Sequence, residues 1–311
     1  MQKEVYVIDL FCGCGGFSTG ARQAGAKVIL AVDCWKEALA VHEANHPETE
    51  HICTTLGGDL DEFASFLTGF IDLNVPSGGH VHLHASPPCQ NLSTVNPLRN
   101  IAVGTNLVSW TLALITTTQK YIHTWSLEQV PHKQLMSLVD QYKGIVARME
   151  DFGIPQRRKR LFLGSLDWDS IYKNRNTSNS VATILQVMET VQYKVPNTNY
   201  VIIYGSMKRC KEKKIIRHPN GLPVYHSYGL DSVCSTITQC NPCMYDELLC
   251  KRVPFPLKVV AALQTFPLKY NFLSFGDTLT RKLIGNSIPP QFSKVLISSL
   301  TTTLTAPLVP P

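Results

Sequence analysis

The chain has 311 residues, 44% hydrophobic and 17% charged, with a net charge of +6; this composition excludes a disordered or collagen-like chain, and the length suffices to bury a large core. No run of 18 apolar residues is present, which excludes a membrane-spanning helix. The opening MQKEVYVIDLF lacks the apolar stretch and cleavage site of a secretion signal, so a cytoplasmic or nuclear location is expected, with the ten cysteines as free thiols.

In chain order, VYVIDL (5–10) fits a buried strand, and FCGCGGFSTGARQAG a glycine-dense turn opening a helix. KVILAVD reads as a second strand and CWKEALAVHEANHP as a helix ended by Asn-His-Pro. GDLDEF closes a loop, with Asp59 on the third strand; HVHLHASPP is a strand entering a rigid turn. Residues 98–127 have a helical pattern, IVARMEDFG continues a helix, and RKRLFLGSL is a strand. Residues 170–250 have no clean helical period. A helix returns after Pro254, and the chain closes with IGNSIPPQFSKVLISSLTTTL as a loop and a last helix. Alternating strand, glycine turn and helix predict an α/β fold, a Rossmann-like doubly wound sheet with its ligand at the carboxyl ends of the strands. The expected division is residues 1–165 with 251–311 as the catalytic, cofactor-binding domain, and 166–250 as a smaller lobe.

Charge is unevenly spread. Residues 1–80 hold 4 Lys/Arg against 11 Asp/Glu, whereas 155–220 hold 13 against 4. A polyanion gripped by the second region is one reading, and a solvated basic surface is the other. Lys208, Arg209, Lys211, Lys213, Lys214 and Arg217 fall within ten positions and suit phosphate contacts.

Two stretches carry candidate chemistry. In Phe11-Cys-Gly13-Cys-Gly15-Gly16, glycines after a strand let the backbone approach a nucleotide-like ligand. Asp33, 20 residues beyond Gly13, stands where such folds place a ribose-binding carboxylate, and Asp59 is a candidate adenine partner. In Ser86-Pro87-Pro88-Cys89-Gln90, two prolines fix the approach of a thiol, an arrangement that suits an oriented nucleophile. Cys234, Cys240, Cys243 and Cys250 include one C-x₂-C pair, but their outer spacings do not repeat it, so no metal is expected. His80, His82 and His84 share one strand face without a carboxylate partner, and structural or solvent-facing roles are expected.

The order of these motifs resembles the cytosine-5 DNA methyltransferases, stand-alone catalytic units of the kind found in restriction-modification systems. DLFCGCGGFSTGARQAG is similar to that family's cofactor motif, and VDCWKEALAVHEANHP and GDL to its next two. SPPCQNLS resembles the catalytic cysteine motif, SLEQVP the Glu-Asn-Val element, and FGIPQRRKRLFLG the Q-x-R-x-R block. LQTFP and GNSIPPQ resemble the last two. The resemblance implies transfer of a methyl group from S-adenosylmethionine to C5 of a cytosine flipped out of double-stranded DNA. Cys89 would add to C6, Glu128 would act at N3, and Arg158 and Arg160 would grip the base edge and a phosphate. Phe11, Gly13, Gly15, Gly16, Asp33, Asp59, Pro87, Asn286 and Ser287 would line the cofactor, and Arg99 would contact DNA. Residues 166–250 would recognise the target, and a monomer is expected. The chain departs from the pattern at Gln129, where the family has Asn, at Cys34, where it has a bulky stacking residue, and in the 24 residues between Glu128 and Gly153, a short interval. The alternatives are the tRNA-directed branch, whose Cys-Phe-Thr signature is missing, and an inactive DNA-binding homologue.

Overall fold

The computed structural model describes residues 3–88, 101–173, 175, 181–194, 200–202, 216–217, 223–224, 227–238, 242–246 and 251–305. Its contacts divide the chain into two compact units, residues 1–147, 159–175 and 290–311, and residues 148–158 and 176–289.

The first unit is built on a seven-stranded sheet. Its strands are β1 (Val5–Leu10), β2 (Lys27–Asp33), β3 (Glu50–Cys53), β4 (His80–Ala85), β5 (Thr124–Gln129), β6 (Gly144–Arg148) and β8 (Lys159–Gly164), with the two-residue β7 (Gln156–Arg157) between the last two in sequence. The order is β3-β2-β1-β4-β5-β8-β6. Strands β3 through β5 are parallel, and β8 runs antiparallel to β5. Strand order reverses between β1 and β4, so the carboxyl ends of those two strands border the crevice where open α/β sheets bind ligands.

Helices cover the faces: α1 (Gly16–Gln23), α2 (Lys36–Asn45), α3 (Leu60–Asn74), α4 (Ile101–Thr117), α5 (Lys133–Leu138) and α6 (Trp168–Lys173). Val81, Leu83 and Ala85 of β4 point to one face, in a core with Ile8, Leu30, Leu67, Ile71 and Leu114. The alternate residues His82 and His84 point to the other face, where the Phe17 ring of α1 lies 3.6 Å from that of His84. A helix at the far end of the sequence, Pro290–Thr305, joins this unit and packs on α1. A Cβ on Gly20 of α1 would meet the Pro290 carbonyl oxygen and would lie 2.5 Å from Ser293 Cβ, so glycine is what permits that approach.

The sequence reading is corrected at five places. Residues 60–74 form α3, and Asp59 is its N-cap, accepting from Glu62 N at 2.9 Å, rather than a residue of the third strand. The helical pattern of 98–127 ends at Thr117, and Ser126–Gln129 belong to β5. IVARMEDFG is the end of β6 followed by one 3₁₀ turn, Met149–Phe152. The 170–250 region contains α7 (Ile184–Thr190), closed by a Thr183/Gln186 capping box. The three histidines are not solvent-facing, because a central strand of a parallel sheet has both faces covered.

In the second unit, β9 (Tyr200–Ile202), β12 (Ser227–Gly229), β14 (Cys243–Asp246) and β15 (Lys251–Pro254) form a four-stranded sheet in the order β12-β9-β14-β15. Strands β10 (Ile216–Arg217) and β11 (Pro223–Val224) pair with each other, and β13 (Cys234–Ser235) pairs with β7. Helix α8 (Leu257–Leu263) packs on α7 and on α9 (Asp277–Asn286), which leaves Pro290–Thr305 as α10. Residues 251–289 therefore group with 176–250, whereas the boundaries drawn from sequence place them with the catalytic part. The pairing of β15 with β14 and the packing of α8 on α7 hold them there.

Candidate active site

Three turns meet at the carboxyl ends of β1, β4 and β5. The first begins with Phe11, at φ +57°, and passes through Gly13 and Gly15, at +55° and +88°. Glycine reaches these left-handed angles without steric cost, whereas Phe11 does so under strain. Gly13 N donates to Asp33 Oδ2 at 2.8 Å, and Trp35 N donates to Asp33 Oδ1 at 2.8 Å. Asp33 thus ties the glycine turn to the end of β2, and each of its oxygens retains a lone pair for a further donor. Burial raises its pKa, against the pull of those backbone donors.

Beneath the turn, Asp9 is fully buried. Its Oδ2 accepts from Ser18 Oγ at 2.7 Å, and Ser18 meets His42 Nε2 at 2.9 Å. Desolvation raises Asp9 to about 7, and the Asp33 charge adds to the effect. Asp9 Oδ1 is buried without a hydrogen-bond partner. A positive-φ glycine turn, an open space beside Gly13, a carboxylate with lone pairs to spare and this unsatisfied oxygen suit a polar ligand of nucleoside type. Asp9, Ser18 and His42 escaped the sequence reading, since their link spans α1 and α2 and only the residue types were visible.

Ser86 joins the second turn to the first: its N donates to Leu10 O at 3.1 Å and its Oγ to Phe11 O at 2.9 Å. Pro87 is buried, and its carbonyl accepts from Gln129 Nε2 at 3.0 Å. Gln129, fully buried, also accepts from Val130 N at 2.7 Å through Oε1. The amide that departs from the family pattern therefore bridges β5 to the turn that leads into Cys89. Cys89 itself and Arg99 lie outside the described residues.

Glu128 precedes Gln129. Its Oε1 lies 2.9 Å from Arg160 Nε, with side-chain exposures of 9% and 14%. The resemblance implies a substrate contact for Arg160; the structure shows its Nε paired with the Glu128 carboxylate. Arg158 falls in the second unit, 2% exposed, with Nη1 donating to Gly285 O at 3.0 Å and reaching Ile237 O at 3.5 Å. Its guanidinium thus reaches main-chain carbonyls of its own unit. Nearby Gln156 Nε2 donates to Gln264 Oε1, and Gln264 Nε2 to Ser287 O. Ser287 Oγ donates to Leu283 O at 2.9 Å, and Asn286 is the exposed last residue of α9.

A family model described as C-5 cytosine-specific DNA methylase matches residues 5–120, which span the glycine turn, Asp33 and the Ser86–Cys89 turn. The type II methyltransferase M.HgiDI of Herpetosiphon aurantiacus is 24% identical over 96% of this chain and 95% of its own length. The chain is thus similar to C-5 cytosine-specific DNA methylases over residues 5–120, and to a type II methyltransferase over most of its length. M.AgeI of Thalassovita gelatinovora is 30% identical to this chain over 53% of it and 40% of the relative. Among solved structures, the Dnmt2 methyltransferase of S. pombe aligns with TM-score 0.66 at 17% identity, over 98% of this chain and all of the other. A putative DNA modification methyltransferase from an E. coli prophage aligns with TM-score 0.64 at 20% identity, over 97% and 100%. Both support the methyltransferase fold.

The other residues expected to act fall as follows. Gly16 is the buried first residue of α1, and Asp59 caps α3. Lys208, Arg209, Lys211, Lys213 and Lys214 lie outside the described residues, and of Arg217 only the backbone in β10 is described. Cys234 and Cys243 are buried. Cys240 and Cys250 are not described, and no metal-holding group of three His, Cys, Asp or Glu occurs among the described residues. No described helix is long and apolar enough to cross a membrane.

Proposed function

We propose that the protein methylates C5 of cytosine in double-stranded DNA through a covalent adduct on Cys89. S-adenosylmethionine supplies the methyl group. The Cys89 thiolate adds to C6, and Glu128, fixed by Arg160, hydrogen-bonds or protonates N3, so that electron density moves to C5. C5 takes the methyl group, then loses its proton, and the thiolate leaves. A base inside the duplex offers no path to a thiol, so the cytosine is flipped out. Asp33 binds the ribose hydroxyls, the Phe11–Gly16 turn holds the methionine part, and Asp59 serves the adenine. The basic run Lys208–Arg217 grips phosphate.

One arrangement carries this reading. The end of β5 presents a carboxylate clamped by an arginine, while the next residue holds the carbonyl two positions before the cysteine. The test is incubation with labelled S-adenosylmethionine and mixed-sequence DNA. Label should enter 5-methylcytosine, and Cys89→Ser should abolish transfer. Transfer to tRNA but not DNA, or transfer surviving Cys89→Ser, overturns the reading.

A further inference from the structure

Cys34 and Cys53 are the two exposed cysteines among the described residues. They stand at the carboxyl ends of neighbouring parallel strands, where Asp33 is registered opposite Cys53. Thr54 N extends that ladder to Asp33 O at 3.1 Å, and Cys53 Sγ lies 4.0 Å from the Cys34 carbonyl oxygen. A strand spacing of about 4.8 Å and one further residue of about 3.8 Å put the two Cα atoms on the order of 6 Å apart. Disulfides span about 4.4–6.8 Å. Cys34 lies past the last residue of β2, in a bend, so its side chain is free of the alternation that a strand would impose.

The pair adjoins the cofactor turn. Cys34 is the middle residue of the loop in which Asp33 accepts from Gly13 N and Trp35 N. A covalent tie from Cys34 to the edge strand would pull on that loop. Partial burial, and next the Asp33 carboxylate, push the Cys34 thiol up, which slows its thiol–disulfide exchange at neutral pH without blocking it.

We propose that Cys34 and Cys53 form a redox-modification site in which a small-molecule disulfide joins the two sulfurs, and that the closed form binds the cofactor weakly. One thiolate attacks the small disulfide, forming a mixed disulfide and expelling one thiolate. The second cysteine then attacks the mixed disulfide and expels the other, so two protein thiols are oxidised, and the two protons they lose are taken up by the two expelled thiolates to give two small thiols. The second half of the proposal rests on the cofactor reading given above; the first half does not.

The experiment incubates the full chain with oxidised glutathione and maps disulfides by non-reducing peptide mass spectrometry. Binding of S-adenosylhomocysteine is measured by calorimetry before oxidation, after it and after re-reduction. A peptide linking Cys34 to Cys53 is expected, with affinity at least tenfold weaker when linked and restored by reduction. Cys53→Ser should bind like the reduced protein and ignore the oxidant. Absence of the linked peptide overturns the site whatever the enzyme does. A linked protein that binds as well as the reduced one overturns the regulation. A reduced protein that fails to bind overturns the cofactor reading and the regulation with it, while a linked peptide still supports the modification site.

Discussion

Gln129 Nε2 donates to the carbonyl of Pro87 across 3.0 Å, from a fully buried side chain. The extra methylene relative to asparagine lets Oε1 fold back onto Val130 N at 2.7 Å, so one amide satisfies both a strand end and a turn. Gln129→Met keeps the volume but leaves a buried carbonyl unpaired, at about 1–3 kcal/mol, and a half-buried N–H unpaired at less. The expected outcome is a fall of about 10-fold or more in covalent trapping on 5-fluorocytosine DNA, with S-adenosylhomocysteine affinity unchanged. Gln129→Asn should recover part of the trapping. Trapping at the wild-type rate in Gln129→Met would show that Pro87 needs no such tether.

Arg160 and Glu128 form a pair with little solvent around it. Removing one partner of a buried pair costs about 3–5 kcal/mol, less where some solvent reaches it. Arg160→Ala should therefore lower the urea midpoint and abolish methyl transfer, whereas Glu128→Gln, which keeps an acceptor for Arg160, should lower the midpoint less and still fail in transfer. Arg160→Ala with wild-type turnover would remove Arg160 from the site.

Arg158 serves two carbonyls of its own unit. Arg158→Ala should destabilise the protein, by about 2 kcal/mol for lost charge-assisted bonds and packing. The salt dependence of DNA affinity should keep its slope, since no phosphate contact is lost. A slope reduced by about one would make Arg158 a DNA contact after all.

Acid should destabilise the fold through the β4 histidines. His82 bridges Thr124 and Ser126 at 2.9 and 3.0 Å, and burial lowers its pKa to about 3, with His80 at about 4. The unfolded chain, with histidine near 6.5, binds protons that the native state refuses. Their contribution to stability is complete above about pH 6.5 and drains away as pH falls towards 3–4. Asp9, raised to about 7, works in the opposite sense: its contribution is complete below about pH 4 and is lost as pH rises through 7. Urea midpoints measured from pH 4.5 to 7.5 should fall less on the acid side in His82→Gln and less on the neutral side in Asp9→Asn. Parallel curves for both variants and wild type would refute the assignment.

Much of the first unit was legible because its signals are local. β1, β2, α2 and β4 each have their own periodicity, and the glycines of 13–16 announce a turn. The signals of helix α3 are local as well, Asp59 as N-cap and Leu60, Phe63, Ala64, Leu67 and Ile71 at helical spacing, and they prevail over the loop expected of GDLDEF. β5 and β6 were not legible, since short strands take their identity from pairing, and β5 needs β4 and β8 on its flanks. The histidine face shows the same limit: its hydroxyl partners become visible only through the β4–β5 register. The roles of Arg158 and Arg160 differ although the residues are two apart, because their partners come from distant parts of the chain.

The contact between Gly20 and α10 governs how the protein can be made. Helix α1 leaves the ribosome well before the helix that shields it, the last of the described ones. Between residue 175 and Pro290 the whole of 176–289 must be synthesised, which at about 5–20 residues per second takes roughly 6–23 s. Throughout that interval the α1 face is bare on the nascent chain. The growing polypeptide is thus a client for holding chaperones, and slowing translation of 176–289 should lower soluble yield.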